Sequence, residues 1–327
     1  MRELRRVMVT GGGGFLGGQL CERLLESGAE VICVDDLSTS APTAADRLRG
    51  RQGYRFIRHD ISHSLIGGPT DVDTVFHLAS PASPVDYLRM PVQTMRTGAL
   101  GTANALDIAE RANARLVLAS TSEVYGDPLR HPQPETYWGN VNPVGPRSVY
   151  DEAKRFAEAL TFAYRRARSA DVGVARIFNT YGPGMRSDDG RMVPTFCSQA
   201  LAGQPITVTG TGQQTRSLCY IDDTIDALVA LAQSDFAGPV NVGNPTELSV
   251  LHIAELVRDL AGSQSAIRFV AAAEDDPQRR CPDITLAGEQ LGWQPRVGCR
   301  AGLELTVDWF RTQRRPQPSA SAALQGS

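Results

Sequence analysis

Tyr150 and Lys154 stand at a spacing that suits proton chemistry on an alcohol. Four apart on a predicted helix, they share one face. A phenol with an ordinary pKa near 10 must be shifted down by roughly three units, worth about 4 kcal/mol, to act as a base near neutrality. A neighbouring ammonium and the positive ring of an oxidised nicotinamide supply that shift by favouring the phenolate. Lys154 is also the only lysine among 33 basic residues, the rest being arginine. A planar guanidinium is no substitute for a compact ammonium in a small donor geometry, which singles this position out. The partner chemistry lies upstream, where strand RVMVT runs into TGGGGFLGG with Gly11, Gly14 and Gly17 at GxxGxxG spacing. The first glycine allows the tight turn, the second admits a pyrophosphate to the backbone amides, and the third lets the helix pack close to the strand. Phe15 and Leu16 open that helix, whose N-terminus favours an anion. Asp35 ends the next strand, where a carboxylate accepts ribose hydroxyls and repels a 2′-phosphate, so NAD is expected rather than NADP. His59, Asp60 and Ile61 after the third strand are suited to lining the adenine site, and Leu78 to the cofactor side of the fourth.

The elements that must position these residues alternate. Strand patterns fall at 6–10, 30–34, 55–58, 74–78, 115–120 and 173–178, with helical patterns at 15–27, 94–112 and 148–170 between them. Short strands alternating with helices predict βαβ units and a parallel sheet. Beyond Phe178, YGPG, DDG, GQP and TGTGQQ mark turns. Helices are expected to resume at 193–202, 223–233, 250–261 and 301–311, with strands at 239–242 and 266–270. The fold class is therefore α/β: a doubly wound Rossmann domain over 1–182, which also receives segments near 219–243. A smaller α/β substrate lobe spans mainly 183–312. The Pro/Ser/Ala-rich stretch 313–327 is expected to be a disordered tail.

Composition narrows the function class. A net charge of −3 and 21% charged residues leave no footprint for nucleic acid or an anionic membrane surface. The apolar runs are strand-sized, so no membrane span is expected. The six cysteines form no CxxC pair and no metal-ligand pattern, so buried free thiols and no metal are expected. MRELRRVMVT runs straight into a strand, which with the thiols gives a cytoplasmic expectation.

TGGGGFLG, HLASPASP, STSEVYGDP, NVNPVGPRSVYDEAKR, ARIFNTYGP, QTR and DDPQRRCPD occur in this order from about Val7 to Phe310. This series resembles the UDP-glucuronate decarboxylases (UDP-xylose synthases) of the extended short-chain dehydrogenases. The resemblance implies tightly held NAD, UDP-glucuronate as substrate, and UDP-xylose with carbon dioxide as products. It also implies a homodimer joined through 94–112 and 148–170. In related sugar 4,6-dehydratases the triplet after the fifth strand resembles Thr-Asp-Glu, whose Asp expels a C6 hydroxyl. This chain has Thr121, Ser122 and Glu123, and serine is a poor general acid. A glucuronate needs none, because oxidation at C4 makes a β-keto acid whose carboxylate leaves by itself. By resemblance Tyr150 and Thr121 act at the C4 oxygen, Ser122 and Glu123 orient the sugar, and Arg216 lies on the carboxylate side and helps reprotonate C5. Pro84 and Tyr87 line the sugar site, while Asn179, Arg191 and Arg280 hold the nucleotide, Arg280 at the pyrophosphate. A 4-epimerase or 4,6-dehydratase of a nucleotide sugar is the alternative. The chain departs from the family at Asp36, Gly98, Ala153 and Gly184, where asparagine, asparagine, glycine and arginine are usual. Gly98 and Gly184 raise the expectation that some UDP-4-keto-xylose escapes.

Overall fold

The structure, a computed structural model, describes residues 2–40, 46–271 and 279–313. Its central feature follows from strands too apolar to face water. Every residue of β5 (Arg115–Thr121) is buried, as are all of β4 (Thr74–His77) and four of five in β1 (Arg6–Thr10). Strands covered on both faces belong in a parallel sheet. They join β2 (Glu30–Asp35), β3 (Tyr54–Arg58), β6 (Val172–Ile177) and β11 (Val240–Val242) in the order β11-β6-β5-β4-β1-β2-β3, every pair parallel. Along β1 the faces alternate: Val7 and Val9 enter one core and Met8 the other. On the first face lie Leu20 and Leu24 of α1 (Phe15–Glu26), with Leu228 and Leu231 of a later helix, Ile221–Gln233. The second face is covered by the segment that follows β4 and by the long helix Ser148–Arg168.

The expected 94–112 helix is divided. Prolines open two six-residue helices, α2 (Pro84–Arg89) and α3 (Pro91–Arg96), at the position where a missing N–H costs nothing. A π turn over Thr97–Gly101 then leads into α4 (Thr102–Ala112). A helix of six residues is too short to reveal its period in sequence, which is why α2 is absent from the expected elements. The long helix is α5 (Ser148–Arg168).

The remaining elements are β7 (Thr180–Tyr181), α6 (Met192–Leu201), β8 (Ile206–Thr209), β9 (Thr215–Ser217), β10 (Cys219–Tyr220), α7 (Ile221–Gln233), β12 (Glu247–Ser249), α8 (Val250–Leu260), β13 (Ile267–Val270), α9 (Thr285–Leu291) and α10 (Cys299–Gln313). β13 pairs with β8 in parallel, and β12 with β9 antiparallel. α9 was not foreseen; it ends on Gly292 in the left-handed conformation. Gln313 closes α10, and the rest of the 313–327 tail lies outside the described residues, as does the start of the DDPQRRCPD segment. All six cysteines are free thiols. Among the described residues no helix is long and apolar enough to cross a membrane.

Candidate active site

The sheet order reverses between β1 and β4, and a crevice opens beyond the carboxyl ends of strands at such a point. A cleft of about 630 Å³ lies there, and every residue singled out for cofactor, sugar or catalysis lines it.

At the cofactor end the glycine turn is held by contacts no side chain would allow. Gly11 has φ +72°, and a Cβ on it would fall 2.7 Å from the Ala79 nitrogen. A Cβ on Gly17 would fall 2.1 Å from the Gly11 carbonyl oxygen, so Gly17 packs the helix against the turn itself rather than against the strand. α1 then starts with Gly14 as its cap, extended and offering no side chain to the first-turn N–H groups. Uncapped amides at a helix start are the donor set a pyrophosphate takes. Asp35 Oδ2 accepts from Gly13 N at 2.9 Å and Oδ1 from Leu37 N at 2.7 Å, which fixes the carboxylate beside the cleft. Burial raises its pKa. Asp60 is fixed in the same way, by Ser62 N at 2.9 Å and Gln93 Nε2 at 2.8 Å. Ile61 and Leu78 supply apolar wall. This donor set fits a dinucleotide with free ribose hydroxyls.

Tyr150 lies in the first turn of α5 and Lys154 one turn on, both buried. The Tyr150 ring stacks on Tyr87 of α2, centroids 5.3 Å apart and planes within 9°. Lys154 Nζ donates to the Ala119 carbonyl at 2.8 Å and stands 5.9 Å from the Tyr150 ring centre. Burial pushes the Lys154 ammonium down to about 8, against the nearby Glu158. Burial also pushes the Tyr150 phenol above its ordinary value, opposed first by the charge of Arg191 and then by the Thr121 hydroxyl. Removing the phenol from water outweighs the charge of the chain's own cations.

β5 ends at Thr121, whose hydroxyl accepts from Glu123 N at 3.2 Å, and a 3-10 turn over Ser122–Tyr125 turns Glu123 into the cleft. Two guanidinium groups meet that carboxylate. Arg280 Nη1 and Nη2 reach Glu123 Oε1 and Oε2 at 2.5 and 2.9 Å, and Arg147 Nη2 reaches Oε2 at 2.8 Å. Burial works against ionisation here, yet Arg280 and then Arg147 hold the Glu123 carboxyl down to about 2. Arg280 is thus paired with the carboxylate that follows Thr121 and Ser122 at the end of β5. Arg216, on β9, donates to its neighbour Thr215 O at 2.8 Å. Arg191 caps α6 and pairs with Asp189 at 3.3 Å. Asn179 follows β6, its carbonyl taking Cys219 N at 2.9 Å, and Pro84 opens α2 beside Tyr87.

Arg147 was not singled out from the sequence. It stands three before Tyr150 in GPRSVY, so the face that pairs Tyr150 with Lys154 also pointed to it. Arg186 was missed as well. Its Nη1 donates to the Thr39 carbonyl and lies 3.3 Å from Asp86 Oδ2, joining the loop after β2 to α2; nothing local in sequence signals that contact.

Comparison with known proteins agrees with this geometry. The NAD dependent epimerase/dehydratase family matches residues 7–243. The chain is 46% identical over 316 residues to UDP-glucuronic acid decarboxylase 1 of Xenopus tropicalis, covering 97% of this chain and 74% of that protein. It is 48% identical over 307 residues to UDP-glucuronic acid decarboxylase 5 of Arabidopsis thaliana, covering 94% and 89%. Among solved structures, UDP-glucuronic acid 4-epimerase from Bacillus cereus, in complex with UDP-glucuronic acid and NAD, superposes with a TM-score of 0.83 at 26% identity, covering 94% of this chain and 99% of that one. UDP-glucose 4-epimerase from Thermotoga maritima, with UDP-glucose, gives a TM-score of 0.86 at 26% identity, with the same coverage of 94% and 99%.

Proposed function

The chain belongs to the NAD dependent epimerase/dehydratase family, and from that membership we propose that it is a UDP-glucuronate decarboxylase. The observation that carries this reading is the Arg147–Glu123–Arg280 cluster. Glu123, ionised between two arginines, is no proton donor for a leaving hydroxyl. Ser122 is no better. A sugar whose C6 is already a carboxylate needs no such donor, and the surplus positive charge of the cluster suits one.

The Gly11–Leu16 turn, Asp35, Asp60, Ile61, Leu78 and Lys154 would hold NAD, which would supply a reversible hydride acceptor for C4, so no outside reductant would be needed. Tyr150 accepts the C4 hydroxyl proton while Thr121 hydrogen-bonds the same oxygen. The C5–C6 bond of the resulting β-keto acid breaks, carbon dioxide leaves, and its electron pair moves to the C4 oxygen, where Tyr150 and Thr121 stabilise it. C5 regains a proton, and the hydride returned to C4 gives UDP-xylose. Arg216 was expected at the C6 and C5 end and Arg280 at the pyrophosphate; the pairing of Arg280 with Glu123 favours Arg280 for the C6 and C5 end. Arg216 then serves the nucleotide with Asn179 and Arg191, while Pro84 and Tyr87 wall the sugar. Escape of some UDP-4-keto-xylose now rests on Gly184 alone, because Ala153 occupies the space beside Gly98.

Incubation with UDP-glucuronate and no reductant is expected to release carbon dioxide and yield UDP-xylose by mass spectrometry. No carbon dioxide release in the presence of NAD would sink the proposal, and turnover of UDP-glucose would favour the epimerase or dehydratase alternative.

The division of labour stays a proposal: residues 1–182 and segments near 219–243 for the cofactor, 183–312 for the sugar nucleotide. We also propose a homodimer, supported by apolar side chains left exposed on α3, the π turn and α5: Val92, Met95, Leu100 and Phe156 at 69, 39, 51 and 49%. The free thiols support a cytoplasmic setting.

A further inference from the structure

Cys281 follows Arg280, but its side chain belongs to another cluster. The ligand atoms of His131, Glu247 and Cys281 all lie within 4.8 Å of one another. His131 Nε2 is 3.1 Å from a Glu247 carboxylate oxygen. None of the three lines the catalytic cleft. The donors come from three separate segments that backbone hydrogen bonds lock together. Gln133 N donates to Cys281 O at 2.9 Å and Asp283 N to Gln133 O at 3.0 Å. Cys281 N donates to Gln133 Oε1 at 2.8 Å. Glu247 pairs across β12 and β9 with Ser217, whose N–H donates to the Arg280 carbonyl at 3.2 Å.

A simple His131–Glu247 ion pair does not account for the whole arrangement. The Cys281 thiol has only a weak contact, 3.4 Å to the Pro245 carbonyl. The Ser217 hydroxyl lies beside the thiol. Ser217 Oγ is itself buried with no hydrogen-bond partner of ordinary geometry among the described residues. An imidazole, a carboxylate and a thiol on rigid backbone form a mixed N/O/S donor set.

We propose that His131, Glu247 and Cys281 bind one divalent cation of the zinc class, with a water in the fourth position. Zinc takes these three donor types at about 2.0–2.3 Å in tetrahedral geometry, whereas magnesium and calcium demand six or more oxygens and reject thiolate. On binding, the Cys281 thiol releases its proton to solvent, and thiolate plus carboxylate balance the two positive charges of the ion. The cation ties the segment carrying His131 to the one carrying Arg280 and stabilises the folded chain by mass action.

The test uses untagged full-length protein stripped with a chelator and titrated with cobalt(II), which reports thiolate ligation by its charge-transfer absorption. The expected result is one cobalt per chain, a thiolate-to-cobalt band and displacement of that band by zinc. The band should vanish in Cys281→Ser, and cobalt affinity should fall about tenfold or more in His131→Gln. A wild-type protein with no thiolate band, or a Cys281→Ser protein with the same band, overturns the proposal. Should Cys281→Ser fail to fold, His131→Gln decides alone: unchanged cobalt affinity in that variant also overturns it.

Discussion

Alanine is a better helix former than glycine by about 1 kcal/mol, so Gly98→Ala would ordinarily stabilise a helical segment. Here it is expected to destabilise. A Cβ built on Gly98 falls 2.6 Å from Ala153 Cβ and 3.0 Å from the Ala153 carbonyl oxygen on α5. Ordinary contact begins near 3.4 Å, so the π turn and α5 must part by about 0.8 Å. Overpacking of this kind costs about 1–3 kcal/mol, which outweighs the gain in propensity and leaves a net loss of about 1–2 kcal/mol. Ala153→Gly alone gives up a buried methyl and helix propensity, again about 1–2 kcal/mol. The double variant removes the nearest clash, so its loss should fall short of the sum by about 1 kcal/mol. Urea unfolding measures this as a shift in midpoint at constant m. Because α5 carries Tyr150 and Lys154, turnover of Gly98→Ala should also fall, by up to about 10²-fold. A raised midpoint for Gly98→Ala, or a double variant additive within about 0.5 kcal/mol, would refute the reasoning. Both ends of this contact are positions where the resemblance led to an expected departure from the family, and the contact couples them: with alanine at 153 only a glycine fits at 98 without movement.

Tyr150→Phe should cut carbon dioxide release from UDP-glucuronate by about 10²–10⁴-fold while leaving the unfolding midpoint near wild type. Glu123→Gln leaves the buried Arg280 and the half-buried Arg147 guanidinium groups without their carboxylate and should cost about 3 kcal/mol in urea unfolding. The folded Glu123 pKa of about 2 lies below the ordinary 4.5, so its stabilisation is full above pH 4.5 and lost as pH falls through 2; the variant should lack that component of the acid limb. Lys154 gives a slope of the same sign at alkaline pH. With a folded pKa of about 8 against an ordinary 10.5, the folded chain binds fewer protons between those values, so stability rises across that window while turnover falls as the ammonium is lost. Lys154→Met should flatten the stability slope in pH-dependent unfolding. Phe156→Glu, on the exposed face of α5, should convert a dimer to monomer by sedimentation, and a wild-type monomer would dispose of the dimer proposal.

What could be read from the chain alone is what local spacing encodes. The Gly11–Gly17 turn, Asp35 at the end of a strand, and the Tyr150–Lys154 pair each depend on residues within one or two turns of each other, and apolar runs such as RLVLAST announce a strand buried on both faces. Those signals sufficed for the α/β class and for NAD, and they put Tyr150 and Lys154 together on one buried helix face. Spacing could not reveal what is set by contacts between distant segments. Arg280 meets Glu123 across 157 positions of chain, and that pairing, with Arg147, keeps the carboxylate ionised. Gly98 and Ala153 each look like an isolated departure until the π turn brings them together. Whether Tyr150 is a phenol or a phenolate depends on how much water its neighbours exclude, and desolvation is a property of the packed molecule that no interval between residues records.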